Sequence, residues 1–260
     1  MSAETDMLTE PKRSNHNFYV SIATSIAEVR QAQALRYQVF FEEMGAQLNT
    51  SIPKYDVDRY DHHCYHLLIK AEESGQVIGC TRILTSEHAE AAGGFYSESE
   101  FDLSQILKLK GRFLEVGRTC VHADYRNGMV ISLLWSGLAR FMVENHFDHF
   151  MGCASIPMSD DRHNALFTKL QERYFTPSTL RVIPKVPLRC DDDNSAPPLS
   201  LPPLLKAYLR LGAKICGEPC WDPHFKVADV FILVSLNNLQ QRYVKHFINR
   251  VHTVLPEMAA

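Results

Sequence analysis

The segment Val121-His122-Ala123-Asp124-Tyr125-Arg126-Asn127-Gly128 carries the residue types of an anion site. It joins a β-rich run to a helical one through a turn. Unpaired amides and the positive dipole end of a helix N-terminus suit a phosphodiester or pyrophosphate there, and Gly128 permits close backbone approach. Arg-x-Gly is also a common turn, so a purely structural reading fits the same spacing. Just upstream, Glu115 and Arg118 bring a carboxylate and a guanidinium into one run. Their odd separation puts them on opposite faces of a regular strand, unless a bulge intervenes. His62, Cys64 and His66 are metal-ligand types that a strand would set on one face, but no second ligand pair accompanies them and no metal is expected. Cys216 and Cys220 read as buried small apolar groups.

The elements that must position these groups follow from hydrophobic periodicity. A strand is expected over Phe18–Ala23 and a helix from about Ile26 to Glu43, opened by a Ser25/Glu28 capping box. After the acid-rich loop Tyr55-Asp56-Val57-Asp58-Arg59-Tyr60-Asp61, the runs Tyr65–Ala71 and Val77–Leu84 form a hairpin across a Gly-containing turn. A short helix near Leu103–Leu107 precedes the strand Phe113–Val121. The helix Val130–Asn145, the strand His149–Ile156 and the helix Asp160–Gln171 come next. Val186–Pro203 has loop composition, Pro203 starts a helix through about Leu211, and Gly212 stops it. Ala213–Cys216 and Val227–Leu236 read as closing strands. A final amphipathic helix carries Leu239, Tyr243, Phe247 and Val251. The alternation is that of an α/β protein. A leader over residues 1–17 and a single domain over 18–260 are expected.

A net charge of −3 offers no global attraction to nucleic acid. Seven cysteines, an odd number, and a polar N-terminus without a signal segment fit a reducing cytoplasm. The longest apolar run is interrupted by Asp229, so no membrane span is expected. Two basic groups, Lys108/Lys110/Arg112 and Lys206/Arg210/Lys214, could attract an acidic partner or be solvated faces. The last helix, with Arg242, Lys245 and Arg250, could touch a membrane surface or dock on the sheet.

The Val-x-x-x-Tyr-Arg-x-Gly run resembles the acyl-CoA-binding motif of GNAT enzymes, with Val130 where that motif has a second glycine. Arg36-Tyr37-Gln38-Val39-Phe40, Asp58-Arg59-Tyr60-Asp61, Gly79-Cys80-Thr81-Arg82-Ile83-Leu84 and Glu115-Val116-Gly117-Arg118 are similar, in order and approximate spacing, to the signature segments of acyl-homoserine-lactone synthases. The chain resembles the ornithine-lipid N-acyltransferase family more closely still. That likeness extends through Leu133-Leu134-Trp135, Gly152-Cys153-Ala154-Ser155-Ile156-Pro157 and Pro202-Pro203-Leu204-Leu205-Lys206-Ala207-Tyr208-Leu209.

The resemblance implies a GNAT-like mixed, twisted central sheet flanked by helices. It implies transfer of a long, 3-hydroxylated fatty acyl group from the phosphopantetheine thioester of acyl carrier protein to the α-amine of ornithine, giving a lyso-ornithine lipid. An α-amine is mostly protonated near neutral pH, so the reaction needs a base, for which Glu115 is the candidate. A backbone N–H near Cys120 or Val121 would hold the oxyanion. Arg36, Arg82 and Arg118 are candidates for the acceptor's carboxylate, and Asp58 and Asp61 for its side-chain ammonium. Phe40, Cys120, Val121, Arg126 and Gly128 fall to the donor. The alternative reading makes Asp58, Asp61, Arg82, Glu115 and Arg118 an ion-pair network that braces the sheet.

Overall fold

The computed structural model describes residues 17–158, 163–188 and 200–236. Strand β1 (Phe18–Ile22) leads into α1 (Ile26–Tyr37). The capping box forms: Ser25 Oγ accepts the Glu28 N–H at 3.3 Å, and Glu28 Oε2 accepts the Ser25 N–H at 3.2 Å. The expected continuation to Glu43 is helical but widened. Gln38–Glu43 is a π-helix, with the Met44 N–H reaching back to the Val39 carbonyl at 3.1 Å. Strands β2 (Tyr65–Ala71) and β3 (Val77–Thr85) form the expected hairpin. His62 and Cys64 precede β2, His62 lying in a 3-10 turn over Asp61–His63, so the three metal-ligand types do not share a strand.

Between β3 and the next long strand lie α2 (Ser86–Ala91) and the two-residue β4 (Phe101–Asp102). A 3-10 turn at Ile106–Lys108 stands where a short helix was expected. Then come β5 (Phe113–Val121), α3 (Met129–Glu144), β6 (His149–Pro157) and α4 (His163–Tyr174). The chain continues through β7 (Ile183–Pro184), α5 (Pro203–Arg210), β8 (Lys214–Ile215), β9 (Cys220–Asp222) and β10 (Val227–Ser235). Residues 1–16 of the leader and the last amphipathic helix, with Arg242, Lys245 and Arg250, lie outside the described residues.

The main sheet runs β1-β2-β3-β5-β6-β10-β8, with β9 also on β10, while β4 and β7 pair separately. Every pairing in it is antiparallel except β5–β6, which is parallel and is crossed over by α3. One face carries a core of Val20, Leu67, Ile69, Leu134, Leu138 and Phe141, and the other is closed by Phe101, Phe113, Met151 and Phe231. This is the mixed, helix-flanked sheet that the sequence implies. Among the described residues, no helix is long and apolar enough to cross a membrane.

Candidate active site

The parallel pairing of β5 with β6 is short. It holds Phe113 to His149, Leu114 to Phe150 and Glu115 to Met151, and then the strands part while β6 stays paired to β10 as far as Pro157. Gly152 sits at the fork: a Cβ there would lie 2.3 Å from the Val116 carbonyl oxygen. Beyond it, a cavity of about 490 Å³ opens along the freed edge of β5, a size typical of small-molecule sites. Gly117 faces open space, with nothing within 4 Å of an added Cβ.

The strand β5 is also bulged. Gly117 pairs with Arg82 and Cys120 with Cys80, so Arg118 and Thr119 together oppose Thr81. Arg118 takes φ +51°, an unusual conformation for a residue with a side chain, and this bulge lets it line the cavity together with Glu115. The odd spacing of these two residues therefore does not separate them. At the end of β5 the His122 N–H donates to the Ile78 carbonyl at 2.8 Å. N–H groups alternate sides along a strand, so that of Val121 is directed to the edge that β6 has left. Cys120 is buried with its Sγ 3.6 Å from Cys80 Sγ.

At the mouth, Gly128 caps α3 with φ +87°, and Asn127 Oδ1 accepts the Met129 N–H at 3.0 Å. Arg126 is tied to the turn itself through the Val121 carbonyl (2.9 Å) and to Glu43 (2.6 Å). Val130 points away from this turn into the core, and Gly79 on β3 makes room for it, since a Cβ there would meet Val130 Cγ1 at 2.6 Å. Phe40, on the π-helix, lines the same cavity and packs edge-on against Phe225.

Arg36, Asp58 and Asp61 stand behind the cavity wall. Arg36 is 1% exposed and spends its fork on Asp56 Oδ2 (2.8 Å), the Asp56 carbonyl and both oxygens of Asp61 (2.9 Å each). Asp61 also takes bonds from Gln33 and from the Asp58 N–H. Arg82 Nη1 reaches Asp58 at 2.6 Å and Asp61 at 3.2 Å. Arg118 Nε reaches Asp56 at 3.2 Å, and its guanidinium lies 5.2 Å from the Tyr96 ring centre and 5.0 Å from that of Phe225. Three guanidiniums thus balance three carboxylates, Asp56 among them. Burial opposes ionisation of Asp58 and Asp61, but the facing guanidiniums hold both below the usual carboxylate range. Arg82 and Arg118 line the cavity; Arg36, Asp58 and Asp61 brace them.

Glu115 stands outside this network. Its two oxygens accept the N–H groups of Tyr96 (2.6 Å) and Ser97 (2.7 Å), and burial pushes its carboxyl up. It also fixes the turn that carries Tyr96 and Glu100. Glu100, Asp222 and Asp229 line the far wall, and one carboxylate oxygen from each lies within 4.8 Å of the others. Asp229 Oδ1 accepts from Ser155 Oγ at 2.7 Å, and Asp222 Oδ1 accepts the N–H groups of His224 and Phe225. No motif marked these acids in the sequence, since Glu100 sits in a polar loop and Asp229 in an apolar run. Cys216 and Cys220 are buried and free, as are Cys80 and Cys120.

Residues 35–136 match the model of the acetyltransferase (GNAT) domain. The chain is 36% identical over 254 residues to the L-ornithine Nα-acyltransferase of Brucella abortus (strain 2308), covering 88% of each. It is 33% identical over 250 residues to the enzyme of the same name from Rhizobium meliloti (strain 1021), covering 89% of this chain and 84% of that one. Its fold is similar to that of the CoA-dependent acyl-homoserine lactone synthase BjaI, with a TM-score of 0.56, 13% identity and coverage of 94% and 95%.

Proposed function

The chain belongs to the L-ornithine Nα-acyltransferase family, and from that premise we propose that it acylates the α-amine of L-ornithine. The observation that carries the reading is the fork between β5 and β6, which opens a cavity between a helix N-terminus and two guanidiniums. The donor is a long 3-hydroxyacyl thioester of acyl carrier protein, its phosphopantetheine entering past Gly128 and the start of α3 and its acyl tail lying near Phe40. Lys206 and Arg210, exposed on the helix whose first turn lines the cavity, supply charge for an acidic carrier. The product is a lyso-ornithine lipid, formed in the cytoplasm and released towards the membrane surface.

In this mechanism Arg82 and Arg118 hold the acceptor carboxylate, while Arg36, Asp58 and Asp61 keep those guanidiniums in place. Glu115 takes a proton from the α-ammonium. The freed amine attacks the thioester carbon, and the Val121 N–H stabilises the oxyanion. The C–N bond forms, the C–S bond breaks, the departing thiolate takes the second proton that the attacking nitrogen sheds and leaves as the carrier's thiol, and Glu115 returns its proton to solvent. No covalent acyl-enzyme is needed.

The test offers the purified protein a mixture of amino acids with acyl carrier protein thioester or with acyl-CoA, and identifies products by mass spectrometry. Acyl-ornithine formed from the carrier thioester is expected. An acyl-homoserine lactone made from S-adenosylmethionine, with no acyl-ornithine, overturns the reading, and turnover with acyl-CoA alone overturns the carrier assignment.

A further inference from the structure

We propose that Glu100, Asp229 and Asp222 form a receptor for the second, non-reacting ammonium of a diamino acid acceptor. The inference rests on the acyl-transfer reading and adds what makes the acceptor a diamine. Asp58 and Asp61, the acids that the sequence offered for this role, are consumed by Arg36, Arg82 and Arg118 and do not line the cavity. The acids of the far wall do line it, and among the described residues none of them forms an ion pair. Asp229 is 3% and Asp222 8% exposed. Independently of the clustering, Glu100 Oε2 is shut off from solvent and has no hydrogen-bond partner among the described residues. A buried carboxylate oxygen left without a donor is costly, and a donor brought by a ligand removes that cost.

The chemistry of the site selects the ligand. The three carboxylates match the three N–H groups of a primary ammonium. A hard divalent cation would need several further oxygens, such as waters, to complete its shell, whereas a primary ammonium is satisfied by three acceptors. The guanidinium network is balanced by its own aspartates, so the ionisable groups left over on the far wall of the cavity are carboxyls, which an acceptor with one more cationic than anionic group would draw into their charged form. Arg118 and Asp229 line the same cavity, which puts a carboxylate holder and an ammonium holder in one chamber.

The test compares L-ornithine with 2-aminopentanoate (norvaline), which lacks only the δ-ammonium, on the full chain. Calorimetric titration reads acceptor binding without turnover. The wild type is expected to bind ornithine at least about 10-fold more tightly, and Asp229→Asn and Glu100→Gln should each cut that preference roughly 10-fold or more. Each variant replaces one of two buried carboxyls whose ionised forms repel each other, so both are expected to fold, as circular dichroism will show; the wild-type comparison needs no substitution. A wild type indifferent to the δ-ammonium overturns the receptor. So does an undiminished preference in the Asp229→Asn/Glu100→Gln double variant, or a preference that EDTA abolishes and magnesium or calcium restores. A protein that prefers ornithine in titration but acylates no amino acid refutes acyl transfer and leaves the receptor standing.

Discussion

Replacing Glu115 with Gln separates two jobs that one carboxylate holds in this structure. Its oxygens accept the Tyr96 and Ser97 N–H groups at 2.6 and 2.7 Å, so it clips a turn as well as facing the cavity. Glutamine keeps one acceptor oxygen but turns an NH2 group towards the other amide. A buried N–H left in this way costs about 1–3 kcal/mol of stability. Loss of a general base costs far more in rate, on the order of 10²- to 10⁴-fold, or about 3 to 5 kcal/mol of barrier. The two effects are read separately, by thermal unfolding and by steady-state turnover over a range of ornithine concentrations across about pH 5 to 9. Burial pushes Glu115 above its ordinary 4.5, so wild-type kcat/KM should rise with pH through a value above 4.5, where the base ionises. The variant should lose that limb. Turnover within about 3-fold of wild type at every pH, accompanied only by lower thermal stability, would refute the base and leave the clip.

Arg82→Lys keeps the charge but loses the planar fork; ornithine KM should rise roughly 10- to 100-fold with a smaller change in kcat, and an unchanged KM would remove Arg82 from the carboxylate site. Gly152→Ala forces a Cβ within 2.3 Å of the Val116 carbonyl oxygen and should cost about 1–3 kcal/mol in urea unfolding, whereas Gly117→Ala projects into open space and should unfold like wild type. Equal unfolding midpoints would refute the tight fork. Burial first, then Asp229, pushes Glu100 up to about 8, and burial followed by Asp222 pushes Asp229 up to about 6 against the Ser155 hydrogen bond. Between their ordinary carboxylate values and these, the folded protein holds more protons than the unfolded chain. Stability without ligand should therefore fall as pH rises from about 5 to 8, and Asp229→Asn should flatten that fall; parallel unfolding curves for the two proteins would contradict it.

The long elements were legible because a buried face imposes its period on many residues at once. Phe113–Val121 is the strand read from the sequence, residue for residue, and α3 begins and ends within one residue of its expected bounds. Elements decided by a few hydrogen bonds were not legible. The widened turns over Gln38–Glu43 and the paired dipeptides Phe101–Asp102 and Ile183–Pro184 have no period to reveal them. Nor does side-chain pattern distinguish a parallel neighbour from an antiparallel one, although the parallel strand pairing of the described main sheet, β5 with β6, is the one that opens the cavity. The bulge at Arg118 was visible only as a condition on the Glu115–Arg118 spacing, because a bulge is a mismatch between two strands and one strand's sequence cannot hold it.

For the acids, it was resemblance that gave Asp58 and Asp61 an acceptor role, and in the fold the nearby guanidiniums consume them. Asp61 accepts from Gln33, Arg36, Arg82 and the Asp58 N–H. Asp229 was informative in sequence only as the charge that interrupts an apolar run, and Glu100 not at all. What sets them apart is the number of donors each has found in the fold. A carboxylate with four donors has little electrostatic reason to prefer one ligand over another, because its charge is already answered. A carboxylate oxygen with none, walled off from water inside a cavity, makes binding conditional on the donor that the ligand brings. On the proposed receptor, specificity for a second ammonium follows from that asymmetry, since an acceptor without the group would leave that oxygen unanswered.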